Sequence, residues 1–182
     1  QNGQQEKTQR DSGHQADGSH CADKREGAEH QHHLGRAQSE HIMQQIATHL
    51  VKHGRTPVGW DDELAAGIAL PTSQVVMSWH GDHNERIALA ALKQGHDVVM
   101  TPQESLYFDH VQSDLPDEWP GPPPAATLRE AYDTIVIPKG ASTSEAQHVI
   151  GVQAGLWTEQ MSTFAHDQHA VFPRVAALAE LG

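Results

Sequence analysis

The feature that most constrains this chain is a series of four short, apolar, β-branched runs. In each run the apolar residues follow one another instead of alternating with polar ones, which is typical of strands buried on both faces of a parallel sheet. The predicted strands are Thr56–Trp60, Gln74–Trp79, Asp97–Thr101 and His148–Trp157. Because four strands cannot close a barrel, the pattern predicts either a small open sheet or half of an eight-stranded barrel.

Helix-forming sequence separates and flanks these strands. The predicted helices are Arg36–His53, Asn84–Gln94 and Phe172–Leu181. The first has Ile42, Ile46 and Leu50 at helical spacing, so they share one face. Strands that alternate with helices predict an α/β fold. A Pro-rich loop is expected over Pro116–Pro124, between the third and fourth strands.

Residues 1–33 differ in composition from the rest, with no Leu, Ile, Val, Met, Phe, Tyr or Trp. Such a segment buries too little apolar area to offset the entropy of ordering it. We therefore predict a polar, disordered or loop-like tail over 1–33 and a folded part over 34–182. Side chains that could bind a metal are Cys21, His30, His32 and His33. Their spacing is not a tight ligand pattern, so we predict no metal and no cofactor, with a His-rich metal-binding protein as the weaker alternative.

The charge of the chain argues against one class of binding partner. The net charge of −12 comes without a basic stripe, so nucleic acid is not expected as a partner. No apolar run is long enough to predict a membrane span. A single cysteine gives no indication of compartment. The sequence begins at Gln1 without a visible signal peptide, as expected for a processed chain or a fragment.

Aromatic residues stand at the ends of the predicted strands. Trp60, Trp79 and Trp157 end three of them, and Tyr107 follows the third. The carboxyl ends of parallel strands meet at one edge, where sites are built. Indole faces stack on the apolar face of a sugar ring, and nearby carboxylates accept hydrogen bonds from its hydroxyls. One such Trp alone is more often a core residue, but the set together favours a sugar-binding wall.

Six motifs occur in one order along the chain. They are GWDDEL (59–64), VVMSWHG (75–81), GHDVVMTP (95–102), YFD (107–109), GVQAGLWTE (151–159) and FPRVAALAE (172–180). In this order and spacing the sequence resembles family 20 glycoside hydrolases, the β-N-acetylhexosaminidases. The resemblance implies a (β/α)8 TIM barrel, of which this chain would supply the C-terminal half, strands five to eight.

The resemblance also implies a reaction and a substrate class. Family 20 enzymes hydrolyse terminal β-linked N-acetylglucosamine or N-acetylgalactosamine by substrate-assisted retaining catalysis, in which the substrate's own acetamido oxygen attacks the anomeric carbon. The expected partners are N-acetylhexosamine-containing glycans or chitooligosaccharides. Family members are often secreted, periplasmic or lysosomal, and the sequence does not choose among these compartments.

Particular residues acquire roles from the resemblance. Tyr107 would be catalytic, donating a hydrogen bond to the acetamido oxygen, while Asp109 and Glu159 would bind the distal hydroxyls. The residues that would enclose the sugar are Trp60, Trp79 and Trp157. The simpler alternatives are a packing residue at the barrel rim for Tyr107 and solvated loop charges for the two carboxylates.

One part of the family pattern has no counterpart in this sequence. The family's catalytic Asp-Glu pair precedes the helix that corresponds to Arg36–His53, and no strand ending in that pair lies before this helix. We therefore expect a fragment that is inactive by itself. A non-catalytic N-acetylhexosamine-binding protein is the alternative.

Overall fold

The computed structural model describes residues 19–80 and 84–182 of the chain. Within these residues the fold is α/β, with a single four-stranded sheet. The strands are β1 (Val58–Trp60), β2 (Val75–Ser78), β3 (Val98–Met100) and β4 (Val149–Val152). Each strand lies inside one of the four apolar runs, so the predicted strand positions are confirmed.

The sheet has the order β1-β2-β3-β4, and every neighbouring pair is parallel. The register pairs Val58 with Val75, Val76 with Val98, and Val98 with Val149. Strands in chain order, all parallel and joined by helical connections, are the repeating arrangement of a (β/α)8 barrel. The predicted α/β fold, with four consecutive barrel strands, is therefore confirmed.

Helices connect and flank the strands. They are α1 (Ser19–Lys52), α2 (Asp62–Ala65), α3 (Asn84–Lys93), α4 (Gln103–Leu106), α5 (Leu128–Tyr132), α6 (Thr143–Ala146), α7 (Phe164–Val171) and α8 (Arg174–Leu181). The predicted helices correspond to α1, α3 and α8. The short helices were not predicted because one turn carries no periodic pattern. Capping boxes start two of them, with Thr127 and Glu130 at α5 and Ser142 and Glu145 at α6.

Helix α1 begins at Ser19 rather than near Arg36. Residues 19–33, expected as a tail or loop, are therefore the first part of this helix. Seven of these fifteen residues are Ala, Glu, Lys, Gln or Arg, which favour helix even without an apolar face. Residues 1–18 lie outside the described part. The chain divides into the units Gln1–Ala37 and Gln38–Gly182, and the functional division after residue 33 stays a prediction.

Two apolar clusters form the core of the second unit. One joins β2, β3 and α3 and contains Leu70, Val76, Ala88, Ala91, Leu92, Val98 and Met100. The other contains Leu106, Phe108, Ala131 and Ala177. This second cluster packs the segment after β3 against α5 and α8, and so anchors the residues on either side of Tyr107. In the described ranges no helix combines the length and apolarity needed to cross a membrane.

Candidate functional site

Three aromatic rings form a continuous row beyond the carboxyl ends of the strands. The rings of Trp79 and Tyr107 are 6.2 Å apart and 20° from parallel. The rings of Tyr107 and Trp157 are 6.4 Å apart at 39°. We call Trp79, Tyr107 and Trp157 the aromatic row. Tyr107 is its buried centre at 7% exposure, whereas Trp157 is 47% exposed.

The row rests on a backbone connection between two strand ends. Tyr107 forms an isolated parallel bridge with Gly155, beyond the regular pairing of β3 and β4. Phe108 N–H donates to the carbonyl of Gly155 at 2.7 Å, and Gly155 N–H donates to that of Leu106 at 2.9 Å. A Cβ at Gly155 would lie 3.2 Å from Trp157 Nε1 and 3.3 Å from Tyr107 Cδ1. The glycine therefore lets both rings lie close to the bridge.

A buried carboxylate holds the end of β2. Asp61 is fully buried just after β1, and it accepts hydrogen bonds from Ser78 Oγ at 2.9 Å and from the backbone N–H of Trp79 at 3.2 Å. His80 Nδ1 lies 2.7 Å from its other oxygen, and the His80 ring lies 4.3 Å from that of Trp79. Asp62 accepts a hydrogen bond from Trp79 Nε1 at 3.1 Å. Trp79 is thus fixed through both its backbone and its indole.

Tyr107 is set up as a hydrogen-bond donor. Burial raises the pKa of its phenol above 10.0, a hydrogen bond with Trp157 works against this, and the charges of Asp109, Asp61 and Asp62 raise the pKa further. An indole N–H can only donate, so the Tyr107 oxygen accepts from Trp157. The phenol proton then stays on Tyr107 at neutral pH and is free to be donated.

An open cleft of about 410 Å³ lies beside the row. Of the residues predicted for the site, its lining contains Tyr107, Asp109, Trp157 and Glu159. Glu159 is exposed, whereas Asp109 is partly buried. Asp109 Oδ1 is buried without a hydrogen-bond partner among the described residues. Carboxylates that line a cleft can accept hydrogen bonds from ligand hydroxyls, and Asp109 and Glu159 provide two of them.

The structure does not gather all of the predicted residues around this cleft. Trp79 does not line the cleft but packs against Tyr107, which does. Trp60 ends β1, and within the part of the chain described its ring makes no contact with the aromatic row. The other lining residues are Gln103, Pro122, Gln160 and Met161. Sequence reasoning missed these four because nothing in their residue types marks them as ligand contacts.

Two other features of the described residues lack the properties of the predicted site. A larger groove of about 560 Å³ lies between α5 and α8, lined mainly by apolar atoms and by none of the predicted site residues. Among the described residues, no group of three or more His, Cys, Asp or Glu side chains could hold a metal ion. The side chains of Cys21, His30, His32 and His33 lie outside the described part, so neither the prediction of no metal there nor the metal-binding alternative is tested.

Comparison with known proteins agrees with the sequence motifs. Residues 15–182 match the family described as Glycosyl hydrolase family 20, catalytic domain. A beta-hexosaminidase of Porphyromonas gingivalis is 36% identical over 142 residues, which are 78% of this chain and 18% of that protein. A beta-hexosaminidase of Akkermansia muciniphila is 30% identical over 145 residues, 80% of this chain and 29% of that protein. The chain thus spans less than a third of the length of either relative.

Solved structures give the same result. A GH20 exo-beta-N-acetylglucosaminidase from Vibrio harveyi, in complex with N-acetylglucosamine, aligns with a TM-score of 0.68 at 28% identity, over 78% of this chain and 22% of that one. The N-acetyl-beta-hexosaminidase of Streptomyces plicatus aligns with a TM-score of 0.68 at 26% identity, over 81% of this chain and 30% of that one. The motifs, the fold and both comparisons agree: the chain belongs to glycosyl hydrolase family 20.

Proposed function

We propose that this chain carries the N-acetylhexosamine-binding part of a β-N-acetylhexosaminidase site. The observation that carries the proposal is a cleft lined by the Asp109 and Glu159 carboxylates, the Trp157 indole and the Tyr107 phenol. A sugar ring offers each of these a partner: a hydroxyl for each carboxylate, an apolar face for the indole, and an acetamido oxygen for the phenol. Family membership and the curated relatives named beta-hexosaminidase support the same assignment.

In this proposal each residue does one job. Trp157, with Trp60 and Trp79, covers the sugar ring and its N-acetyl group, and Asp109 and Glu159 accept hydrogen bonds from the distal hydroxyls. Tyr107 donates to the acetamido oxygen and orients it towards the anomeric carbon. The raised pKa of Tyr107 supports this role, because a phenolate could not donate. In the parent enzyme the glycan would be cleaved by substrate-assisted retaining catalysis.

Binding of the simple sugar tests the proposal. Titration calorimetry of the chain with N-acetylglucosamine should give weak but measurable heat, and glucose, which lacks the acetamido group, should give less. Trp157→Ala should weaken binding by about tenfold through the lost stacking contact. Phe164→Ala, at an aromatic residue that is 73% exposed and outside the cleft, is the matched control. Absence of heat from a chain shown to be folded would sink the proposal.

The same chain should hold the sugar without cleaving it. The family's Asp-Glu pair, whose Glu protonates the leaving group and whose Asp orients the acetamido nitrogen, has no counterpart in this sequence. No aryl N-acetyl-β-glucosaminide should therefore be hydrolysed. Release of aryl product above the buffer rate by purified chain would contradict this. A non-catalytic N-acetylhexosamine-binding protein would bind the sugar in the same way. An activity assay on a longer parent chain distinguishes the two hypotheses, because that chain hydrolyses the aryl substrate only if it is a β-N-acetylhexosaminidase.

A further inference from the structure

Arg174 has an unusual environment for a charged residue. It is the first residue of α8, and its side chain is fully buried. The guanidinium lies 4.8 Å from the centre of the Phe108 ring. Burial lowers the pKa of Arg174 to about 10, against the opposing charges of Glu118 and Asp109, so the side chain stays protonated at neutral pH. No carboxylate forms an ion pair with it in the described ranges.

Backbone carbonyls take the place of a carboxylate partner. Nη1 donates to the carbonyls of His110 at 3.0 Å and Ala126 at 2.7 Å. Nη2 donates to those of Phe108 at 2.6 Å and Ala170 at 2.6 Å, and Nε also donates to Ala170 at 3.1 Å. Every nitrogen of the guanidinium fork therefore donates to the main chain. A charge buried without an ion-pair partner is costly, and only such complete hydrogen bonding offsets the cost.

The position of two of these carbonyls is informative. Phe108 and His110 are the residues on either side of Asp109, whose side chain lines the cleft. A second contact restrains the same segment, because a Cβ on Gly121 would lie 2.7 Å from the carbonyl oxygen of Asp109. The main chain on both sides of the site carboxylate is therefore fixed by one guanidinium, and the peptide of Asp109 itself is packed against the Pro-rich loop.

We propose that Arg174 is a positioning residue for Asp109. By holding the carbonyls of Phe108 and His110, it fixes the backbone from which the carboxylate reaches into the cleft. The identity of the ligand rests on the proposed function, but the fixing of the segment does not. Lysine cannot replace the fork, because a single ammonium cannot reach carbonyls that lie around a planar guanidinium.

The test uses the full 182-residue chain with Arg174→Lys and, as a matched control, Arg129→Lys, whose guanidinium is 78% exposed. Hydrogen–deuterium exchange of residues 107–111 should accelerate by about tenfold in Arg174→Lys, with β2 unchanged, because local opening then needs less free energy. N-acetylglucosamine affinity should fall by about tenfold, since misplacing a polar ligand group loses its hydrogen bond. The control should match the unsubstituted chain in both measurements.

A double-substitution cycle separates positioning from general destabilisation. If Arg174 acts through Asp109, then Arg174→Lys should cost little further affinity once Asp109→Asn is present. An equal loss in both backgrounds, or normal exchange over residues 107–111 in folded Arg174→Lys, overturns the proposal. If Arg174→Lys does not fold, Gly121→Ala serves instead, because it crowds the Asp109 carbonyl. Unchanged affinity in that variant also overturns the proposal.

Failure of the proposed function gives a different result. In that case the unsubstituted chain binds no N-acetylglucosamine, while accelerated exchange over residues 107–111 in Arg174→Lys still supports the fixing of the segment by Arg174. Normal exchange in that variant counts against Arg174 whatever the sugar titration shows.

Discussion

At the scale of single residues, the site depends on close approaches that only particular side chains allow. Gly155 is the plainest case, since the bridge to Tyr107 brings two rings against its Cα. The spacing of Tyr107 and Trp157 is therefore sensitive to a single added methyl group.

Gly155→Ala should weaken N-acetylglucosamine binding severalfold while changing the free energy of unfolding by less than about 1 kcal/mol. The methyl group would press on Trp157 Nε1 and on the Tyr107 ring, and would disturb the hydrogen bond between them. Calorimetric titration and urea unfolding measure the two effects. Gly151→Ala is the control, because a Cβ there meets no atom within 4 Å. Equal affinities for the two variants would contradict this account.

At the scale of elements, the Glu118 carboxylate connects the loop after Asp109 to α7 through hydrogen bonds. Glu118 accepts hydrogen bonds from Ser113 Oγ at 2.6 Å and from the N–H of Trp119 at 3.0 Å, and His169 Nε2 lies 2.6 Å from it. The Trp119 ring packs 4.8 Å from that of His166. The loop that supplies Pro122 to the cleft is thus held to the helix following Glu159.

These hydrogen bonds of Glu118 predict that its contribution to the free energy of unfolding depends on pH. Burial opposes ionisation of Glu118, but hydrogen bonds from Ser113, His169 and Trp119 lower its pKa below 4.5 in the folded chain. A carboxyl with a lowered folded-state pKa stabilises the fold above its unfolded pKa, and this stabilisation is lost as pH falls through the folded value. Glu118→Gln should therefore cost on the order of 2 kcal/mol at neutral pH and less in acid.

Urea unfolding at about pH 6 and about pH 3 measures this change. The difference in unfolding free energy between Glu118→Gln and the unsubstituted chain should shrink at the lower pH. Glu104→Gln, at an exposed carboxylate, should show little difference at either pH. A Glu118→Gln penalty that grew on acidification would reverse the sign and refute the assigned cause.

At the scale of the whole second unit, the sheet is open. Strands β1 and β4 each pair on one side only within the described chain. Val58 on β1 is 59% exposed and Ile150 on β4 is 54% exposed. Apolar side chains on edge strands promote association between molecules. Purified chain should therefore associate as its concentration rises.

Ile150→Lys should reduce that association, because a charge on an edge strand opposes pairing with another edge. Light scattering over a concentration series measures it. Ile135→Lys is the matched control, since Ile135 is 52% exposed but lies outside every strand. Equal scattering by the two variants would show that edge pairing is not the cause.

The sequence predicted the parts of this unit that depend on repeated patterns. Consecutive apolar residues located the four strands, and the residues that end them located the aromatic row. The start of α1 was missed, since a polar helix has no apolar face to mark it. Arg174 was missed as well, because its partners are carbonyls from distant segments and carbonyls have no signature in sequence. The roles of all the predicted site residues stay predictions: Trp60, Trp79, Tyr107, Asp109, Trp157 and Glu159.

The reach of Arg174 also has a consequence for the order in which the site forms. The guanidinium contacts a carbonyl 66 residues earlier in the chain, at Phe108. During synthesis the strands up to β3 leave the ribosome well before α8, so the main chain around Asp109 has no guanidinium to hold it. The sheet can form early, whereas the carboxylate is placed last. The contact also closes a longer loop than any pairing of neighbouring strands, so assembly of the cleft is expected to lag behind the sheet in refolding experiments that follow both.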